Sequence, residues 1–162
     1  MITSEQIQVL VEEKIAGTEL FLVGVKVSPT KKIVVLVDGF AGVGIDECVG
    51  ISRHIENSFD REVEDFELQV SSPGLESAFL VNQQYQKALG KQVEVYTESG
   101  AKYLGELAIL NPESIVVKYE ENKKLEGAKK KTLVKGEIEL FFNTSEADIK
   151  IKTTKRVISF KY

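Results

Sequence analysis

Apolar and polar positions along this chain follow two different periods, and the changes of period mark out its elements. Over residues 3–15 the apolar side chains Ile7, Leu10, Val11 and Ile15 recur at spacings of three and four, the stripe of an amphipathic helix. Thr3 with Gln6 three residues on makes a capping box, and Gly17 supplies the stop. Over residues 20–27 the period drops to two. Phe21, Val23, Val25 and Val27 alternate with Leu22, Gly24 and Lys26, which predicts a strand. A turn at Ser28-Pro29-Thr30-Lys31 leads to residues 33–38, an almost continuous β-branched run, as a central strand would be. The two strands form a hairpin. Residues 39–44 hold three glycines and lead into a helix predicted over 46–59, with Asp46 as N-cap and Val49, Ile51, Ile55 and Phe59 as its apolar stripe. Residues 63–70 alternate again, Val63, Phe66, Leu68 and Val70 against Glu64, Glu67 and Gln69. The first half therefore reads helix, strand, strand, helix, strand.

The alternation stops at Ser71-Ser72-Pro73-Gly74-Leu75. Pro73 presets φ and Gly74 tolerates positive φ, so residues 72–75 read as a type II turn. A short helix follows over 82–89, capped by Asn82, holding Tyr85 and Leu89 inward and closed by Gly90. From Lys91 onward the pattern is of short strands: Val93 and Val95 alternate with Gln92, Glu94 and Tyr96, Glu98-Ser99-Gly100 turns the chain, and strands follow over 103–110 and 115–119 around a turn at Asn111-Pro112-Glu113-Ser114. Residues 120–131 are polar and Lys-rich, 132–142 alternate loosely, and 153–160 close the chain with Val157, Ile158 and Phe160. Several short strands with tight turns and no long helix predict a small β-barrel. The expected class is α+β, with an N-terminal α/β domain over residues 1–90, including the Pro-Gly turn and a linker helix, and a C-terminal barrel over residues 91–162.

Composition narrows the function classes. The chain has 162 residues, 43% of them hydrophobic, which suits one ordinary domain or two small ones. No apolar run approaches a membrane span, and the first residues lack a secretory n- and h-region, so a cytoplasmic protein with no membrane partner is expected. Lone Cys48 and lone His54 leave no basis for a disulfide or a His/Cys metal site; no cofactor is expected. Cys48 reads as a small buried hydrophobe. The net charge of −4 is unevenly spread. Residues 1–90 carry 7 Lys+Arg and 14 Asp+Glu, net −7, and residues 91–162 carry 14 and 11, net +3.

No catalytic constellation is visible. His54 has no partner carboxylate or nucleophile nearby in sequence, and no nucleophile elbow accompanies any serine. The glycines of residues 39–44 join a strand to a helix and can in principle cradle phosphate, but they lack P-loop or dinucleotide spacing, as does the Pro-Gly turn. The basic residues offer another chemistry. Lys123, Lys124, Lys129, Lys130 and Lys131 lie in or beside one loop, and Lys150, Lys152, Lys155 and Arg156 cluster near the C-terminus. On a barrel edge such residues contact phosphates in a salt-dependent way; equally, they are solvated surface lysines.

Val70-Ser71-Ser72-Pro73-Gly74-Leu75 after a helix–hairpin–helix–strand half resembles the signature of RimP, the bacterial ribosome maturation factors. Glu19-Leu20 through Gly24-Val25, Val37-Asp38, Gly44-Ile45-Asp46-Glu47-Cys48 and Tyr85 through Gly90-Lys91 also fit, and the resemblance covers nearly the whole chain. The family continues after Leu with an Asp-Arg-Pro-Leu-like run, where this chain has Glu76-Ser77-Ala78-Phe79, without the Arg and Pro. The resemblance implies an N-terminal KH- or ferredoxin-like α/β domain and a C-terminal SH3/Sm-like β-barrel. It implies a non-enzymatic assembly factor, a cytoplasmic monomer, that binds the free small ribosomal subunit, meets rRNA and a basic ribosomal protein near the decoding region, and leaves before translation. The barrel would meet the ribosomal protein and the α/β domain the rRNA side, although an acidic first half also suits a basic ribosomal protein, so the sequence leaves the faces unassigned. Residues 71–75 would act as an interdomain turn, and Lys150, Lys152, Lys155 and Arg156 as a ribosome-contacting cluster. The alternative is a general RNA-binding module built on an Sm-like barrel.

Overall fold

The computed structural model describes residues 1–74, 77–123, 127, 132–142 and 149–157. The fold is α+β, with three helices and two sheets among the described residues. It divides into two compact units, Met1–Gly74 and Leu75–Tyr162.

In the first unit, α1 (Ser4–Ile15) begins as the sequence predicts: the Thr3 hydroxyl accepts from the Gln6 amide, and the Gln6 side chain accepts from the Thr3 amide. Strands β1 (Leu20–Val27) and β2 (Lys32–Gly39) form the expected antiparallel hairpin, and β3 (Glu67–Ser71) adds to β2 in parallel after α2 (Ile45–Glu56). Both helices pack on one face of the sheet. Ile7, Val11 and Ile15 of α1 and Ile51 and Ile55 of α2 bury against Ile33, Val35 and Val37 of β2.

Three expectations change here. The alternation read across β1 is interrupted by a bulge between Leu22 and Gly24. It shifts the register, so Leu20 and Leu22 join Val25 and Val27 against the helices, because a one-residue slip exchanges the two faces of a strand. Second, β3 starts at Glu67, not at 63. Asp60 holds a turn there, its side chain accepting from the Glu62 amide and its carbonyl from the Val63 and Glu64 amides, and Val63 is 84% exposed. Third, the N-cap of α2 is Gly44 instead of Asp46: the Glu47 carboxylate reaches back 3.0 Å to accept from the Gly44 amide.

The second unit begins ahead of α3 (Asn82–Ala88). The boundary expected near Gly90 falls instead between Gly74 and Leu75, because Tyr85 and Ala88 of this helix belong to the core of the strands that follow. Leu89, read as an inward residue, is half-exposed. Val81 takes the N-cap position expected for Asn82, and the Gln84 side chain accepts from the Leu80 and Val81 amides. Strands β4 (Gln92–Thr97), β5 (Lys102–Leu110), β6 (Ser114–Lys123), β7 (Thr132–Phe141) and β8 (Ile151–Arg156) form one sheet in the order β7-β6-β5-β4-β8. Every adjacent pair is antiparallel. A single bridge between Phe141 and Lys150 links the end of β7 to the start of β8, across the sheet's two edges. Val93, Val95, Leu107, Ile115, Val117, Leu140 and Ile151 fill the interior. Within the Lys-rich segment expected as a loop, residues up to Lys123 continue β6, whereas Lys124 and Lys129–131 lie outside the described residues. So do Ile158, Phe160 and the remaining C-terminal residues.

Two glycines let this sheet curl. Tyr119 of β6 stands opposite Gly105 of β5 on one side and Gly136 of β7 on the other. A Cβ on Gly136 would lie 2.6 Å from the Tyr119 ring, and one on Gly105 would run into the Lys118 carbonyl oxygen, backbone that cannot swing aside. Gly105→Ala is expected to destabilise the second unit by about 2–3 kcal/mol, read as a lower urea midpoint. A midpoint within error of the parent would show that the strands relax around the methyl.

Candidate functional site

The Ser-Ser-Pro-Gly stretch lies where β3 ends beside the first turn of α2. Ser71 is the last β3 residue and pairs with Leu36 of β2. Ser71 and Ser72, with Val70, form one wall of a cleft of about 390 Å³ whose other wall is Val43, Gly44, Ile45, Cys48, Val49 and Ser52. Neither serine hydroxyl bonds to another described residue, and Leu75, the fourth residue of the expected turn, lies outside the described residues. Ile45 is 83% and Val49 41% exposed. Val49 was expected on the buried stripe, but it stands two residues, roughly 200° of helix, from Ile51. Its surroundings are therefore the cleft and solvent.

The electrostatics of this helix start are negative. Asp46 and Glu47 occupy the first turn of α2, and Glu47 already accepts from the Gly44 amide. The positive pole of the helix is thus neutralised by the chain's own carboxylates, which removes the basis for a phosphate site in the Gly-rich loop. Cys48, read as buried, is half-buried at the cleft. Desolvation, with the Glu47 charge adding to it, pushes its thiol above the usual range, since both disfavour a thiolate. His54, expected to lack a carboxylate partner, sits with Nε2 3.5 Å from Glu13 Oε2 of α1. Among the described residues no nucleophile or third group completes a catalytic set around it. No group of three or more His, Cys, Asp or Glu side chains among them could hold a metal ion. No helix among them is long and apolar enough to cross a membrane.

The C-terminal basic residues do not share one face. In β8, Thr154 and Arg156 stand opposite the buried Val95 and Val93 of β4, whereas Lys155 stands opposite Glu94 on the other face. Lys152 falls in a bulge between the pairs Tyr96–Thr153 and Thr97–Ile151, which turns it into a cleft of about 330 Å³ shared with Phe79, Tyr85, Pro112 and Phe142. Lys150 makes the bridge to Phe141. None of the four forms an ion pair with a described residue, and the Arg156 Nε is buried without a described partner. Elsewhere on this unit three lysines are matched: Lys118 meets Glu137 at 3.7 Å, Lys135 meets Glu120 at 3.7 Å, and Lys102 meets Glu94 at 3.9 Å.

The cleft beside Lys152 has an aromatic floor. The rings of Phe79 and Phe142 meet Tyr85 edge-on with centroids 5.0 and 5.2 Å away. The Tyr85 hydroxyl donates to Thr154 Oγ1 at 2.9 Å in the buried interior. Burial raises the Tyr85 phenol above its usual range, and the Thr154 bond opposes that rise. Sequence reading missed both clefts. The signal for the first was that Ile45 falls outside the Ile51/Ile55 stripe; for the second no local signal exists, because it joins residues far apart in sequence.

Comparison with known proteins places this geometry in context. A family model described as the RimP N-terminal domain matches residues 10–76. Two proteins from strains of Porphyromonas gingivalis, both described as ribosome maturation factor RimP, are each 41% identical to this chain over 131 residues, 81% of the chain and 86% of the relative. A protein of the same description from Christiangramia forsetii is 31% identical over 136 residues, 83% of the chain and 88% of the relative.

Removing one partner of the buried Tyr85–Thr154 pair is expected to cost more than removing both. Tyr85→Phe should lower stability by about 1–2 kcal/mol. Combining it with Thr154→Val should recover part of that loss in a double-mutant cycle followed by thermal denaturation. Strict additivity of the two changes would show that the bond contributes nothing.

Proposed function

We propose, from the premise that this chain belongs to the RimP family of ribosome maturation factors, that it binds the free small ribosomal subunit during assembly and does so without catalysis. Its role is that of a ribosome assembly factor. The observation that carries the reading is the 41% identity to the Porphyromonas gingivalis ribosome maturation factors across 81% of the chain, which spans both compact units. The chemistry of the sites agrees with binding instead of turnover. His54 Nε2 lies 3.5 Å from the surface carboxylate of Glu13 without a hydrogen bond to a described residue, and the Gly-rich loop ends on an acidic helix start.

We read the first unit as a KH- or ferredoxin-like α/β domain, supported by two helices on one face of a three-stranded sheet. The second reads as an SH3/Sm-like barrel, supported by five antiparallel-paired strands whose ends are linked by the Phe141–Lys150 bridge. Residues 71–75 carry the chain from one to the other. The protein works as a cytoplasmic monomer on a particle that offers rRNA phosphate and basic ribosomal protein. Charge divides these contacts. The first unit carries 6 Lys+Arg and 13 Asp+Glu, net −7, and the second 15 and 12, net +3. Phosphate is repelled by the former and attracted locally by Lys150, Lys152, Lys155 and Arg156 of the latter.

Sedimentation of a lysate at low magnesium tests the reading: the protein is expected with free small subunits and absent from translating ribosomes. Recovery in the soluble fraction alone would contradict it. Changing Lys150, Lys152, Lys155 and Arg156 together to Gln should weaken subunit binding and lower its salt dependence, by up to one unit of slope for each phosphate no longer neutralised. Unchanged binding and slope would remove these four residues from the interface. Equally tight, salt-sensitive binding of the parent to unstructured RNA would favour a general RNA-binding module instead.

A further inference from the structure

We propose that the cleft between the first turn of α2 and the end of β3 docks a lysine- and arginine-rich polypeptide segment by one of its apolar side chains. The inference rests on the assembly-factor reading only for the source of that segment, a protein component of the immature particle. The site itself rests on geometry and charge.

Val43, Ile45, Cys48, Val49 and Val70 make the cleft apolar, and none of the described residues that line it is charged. Ile45 and Val49 add nothing to the core that Ile51 and Ile55 build from the same helix. Apolar side chains grouped in a concave surface at a helix start are what a partner side chain buries with gain. The cleft volume of about 390 Å³ admits one or two side chains and not a folded domain. The hydroxyls of Ser71 and Ser72, unbonded to other described residues, stand at the wall where backbone groups of an extended segment would pass.

Charge selects the kind of partner. Asp46 and Glu47 follow Ile45 directly, and the unit that carries them has a net charge of −7. A nucleic acid would bring phosphates against these carboxylates and find no lysine or arginine among the described lining residues. A basic polypeptide meets complementary potential on approach and an apolar seat on arrival. The resemblance implies protein contact by the barrel and rRNA contact by the α/β domain, whereas the acidic first half leaves the faces open; the charge beside this cleft argues for protein at the α/β domain.

Fluorescence anisotropy of a fluorescein-labelled Lys/Arg peptide with one central Leu, titrated with the full chain, tests the proposal. Ile45→Ser combined with Val49→Ser should weaken binding about tenfold, as should replacing the peptide's Leu by Ser. Both side chains are exposed, so the variant should keep the parent's thermal midpoint. Asp46→Lys should weaken binding and flatten its salt dependence. Independently of any variant, saturating peptide should slow alkylation of Cys48 in the parent severalfold. Equal peptide affinity in the double variant, or Cys48 alkylation unchanged at saturation, would overturn the proposal. Co-sedimentation of the parent with free small subunits runs in parallel. Its failure would overturn the assembly reading alone, and the peptide and alkylation results would still decide the cleft.

Discussion

Burial of Ile51 and Ile55 against Ile33, Val35 and Val37 is the interaction on which the first unit depends. All five are within about 1% of complete burial, and truncating either isoleucine to Ala would leave a cavity costing about 2–5 kcal/mol. This packing fixes the rotation of α2 about its axis. Once Ile51 and Ile55 face the sheet, Cys48 falls at the margin, and Ile45 and Val49 must point away. It also fixes where β3 runs, since the strand joins β2 in parallel only after α2 has crossed the sheet. The cleft at Ser71 and Ser72 is therefore a consequence of core packing and needs no dedicated loop.

The second unit solves a different problem. Its strands are long, up to 10 residues in β6 and β7, and an extended sheet of that length must coil to enclose its apolar face. Gly105 and Gly136 on either side of Tyr119 permit close approach of neighbouring strands. Bulges between Leu107 and Ile109 and between Tyr96 and Thr97 add bend. The second of these bulges sends Lys152 towards the aromatic cleft, so the same device that curves the sheet also separates the basic residues from one another. Carboxylates are spread almost evenly, 13 on the first unit and 12 on the second, and it is the lysines and arginines, 6 and 15, that leave the first net acidic and the second net basic.

Much of the framework was legible because it is local. The Thr3–Gln6 capping box, the hairpin and the turn at Glu98-Ser99-Gly100 all depend on residues within a few positions of each other, and all stand as read. The errors arise where a distant partner decides. Residues 63–66 alternate like a strand, yet Asp60 captures their backbone first. Val23 keeps the period of two, yet a bulge beside Gly24 reverses the faces across it. Gln84 outcompetes Asn82 as a cap because its longer side chain reaches two amides. The Ser-Ser-Pro-Gly stretch was conspicuous in sequence, but its neighbour across the cleft, the first turn of α2, was not, since about twenty-five residues separate them and no periodicity reports such a pairing. The four basic residues looked like one cluster because spacing along a strand does not reveal a bulge.

Hydrogen–deuterium exchange on the full chain, free and bound to free small subunits, addresses the account most directly. Binding through an acidic, apolar seat predicts slowed exchange at the start of α2, residues 43–48, and at the end of β3, residues 70–74, with a second protected stretch along β8. A bound chain in which residues 43–48 and 70–74 exchange as fast as in the free protein would contradict it.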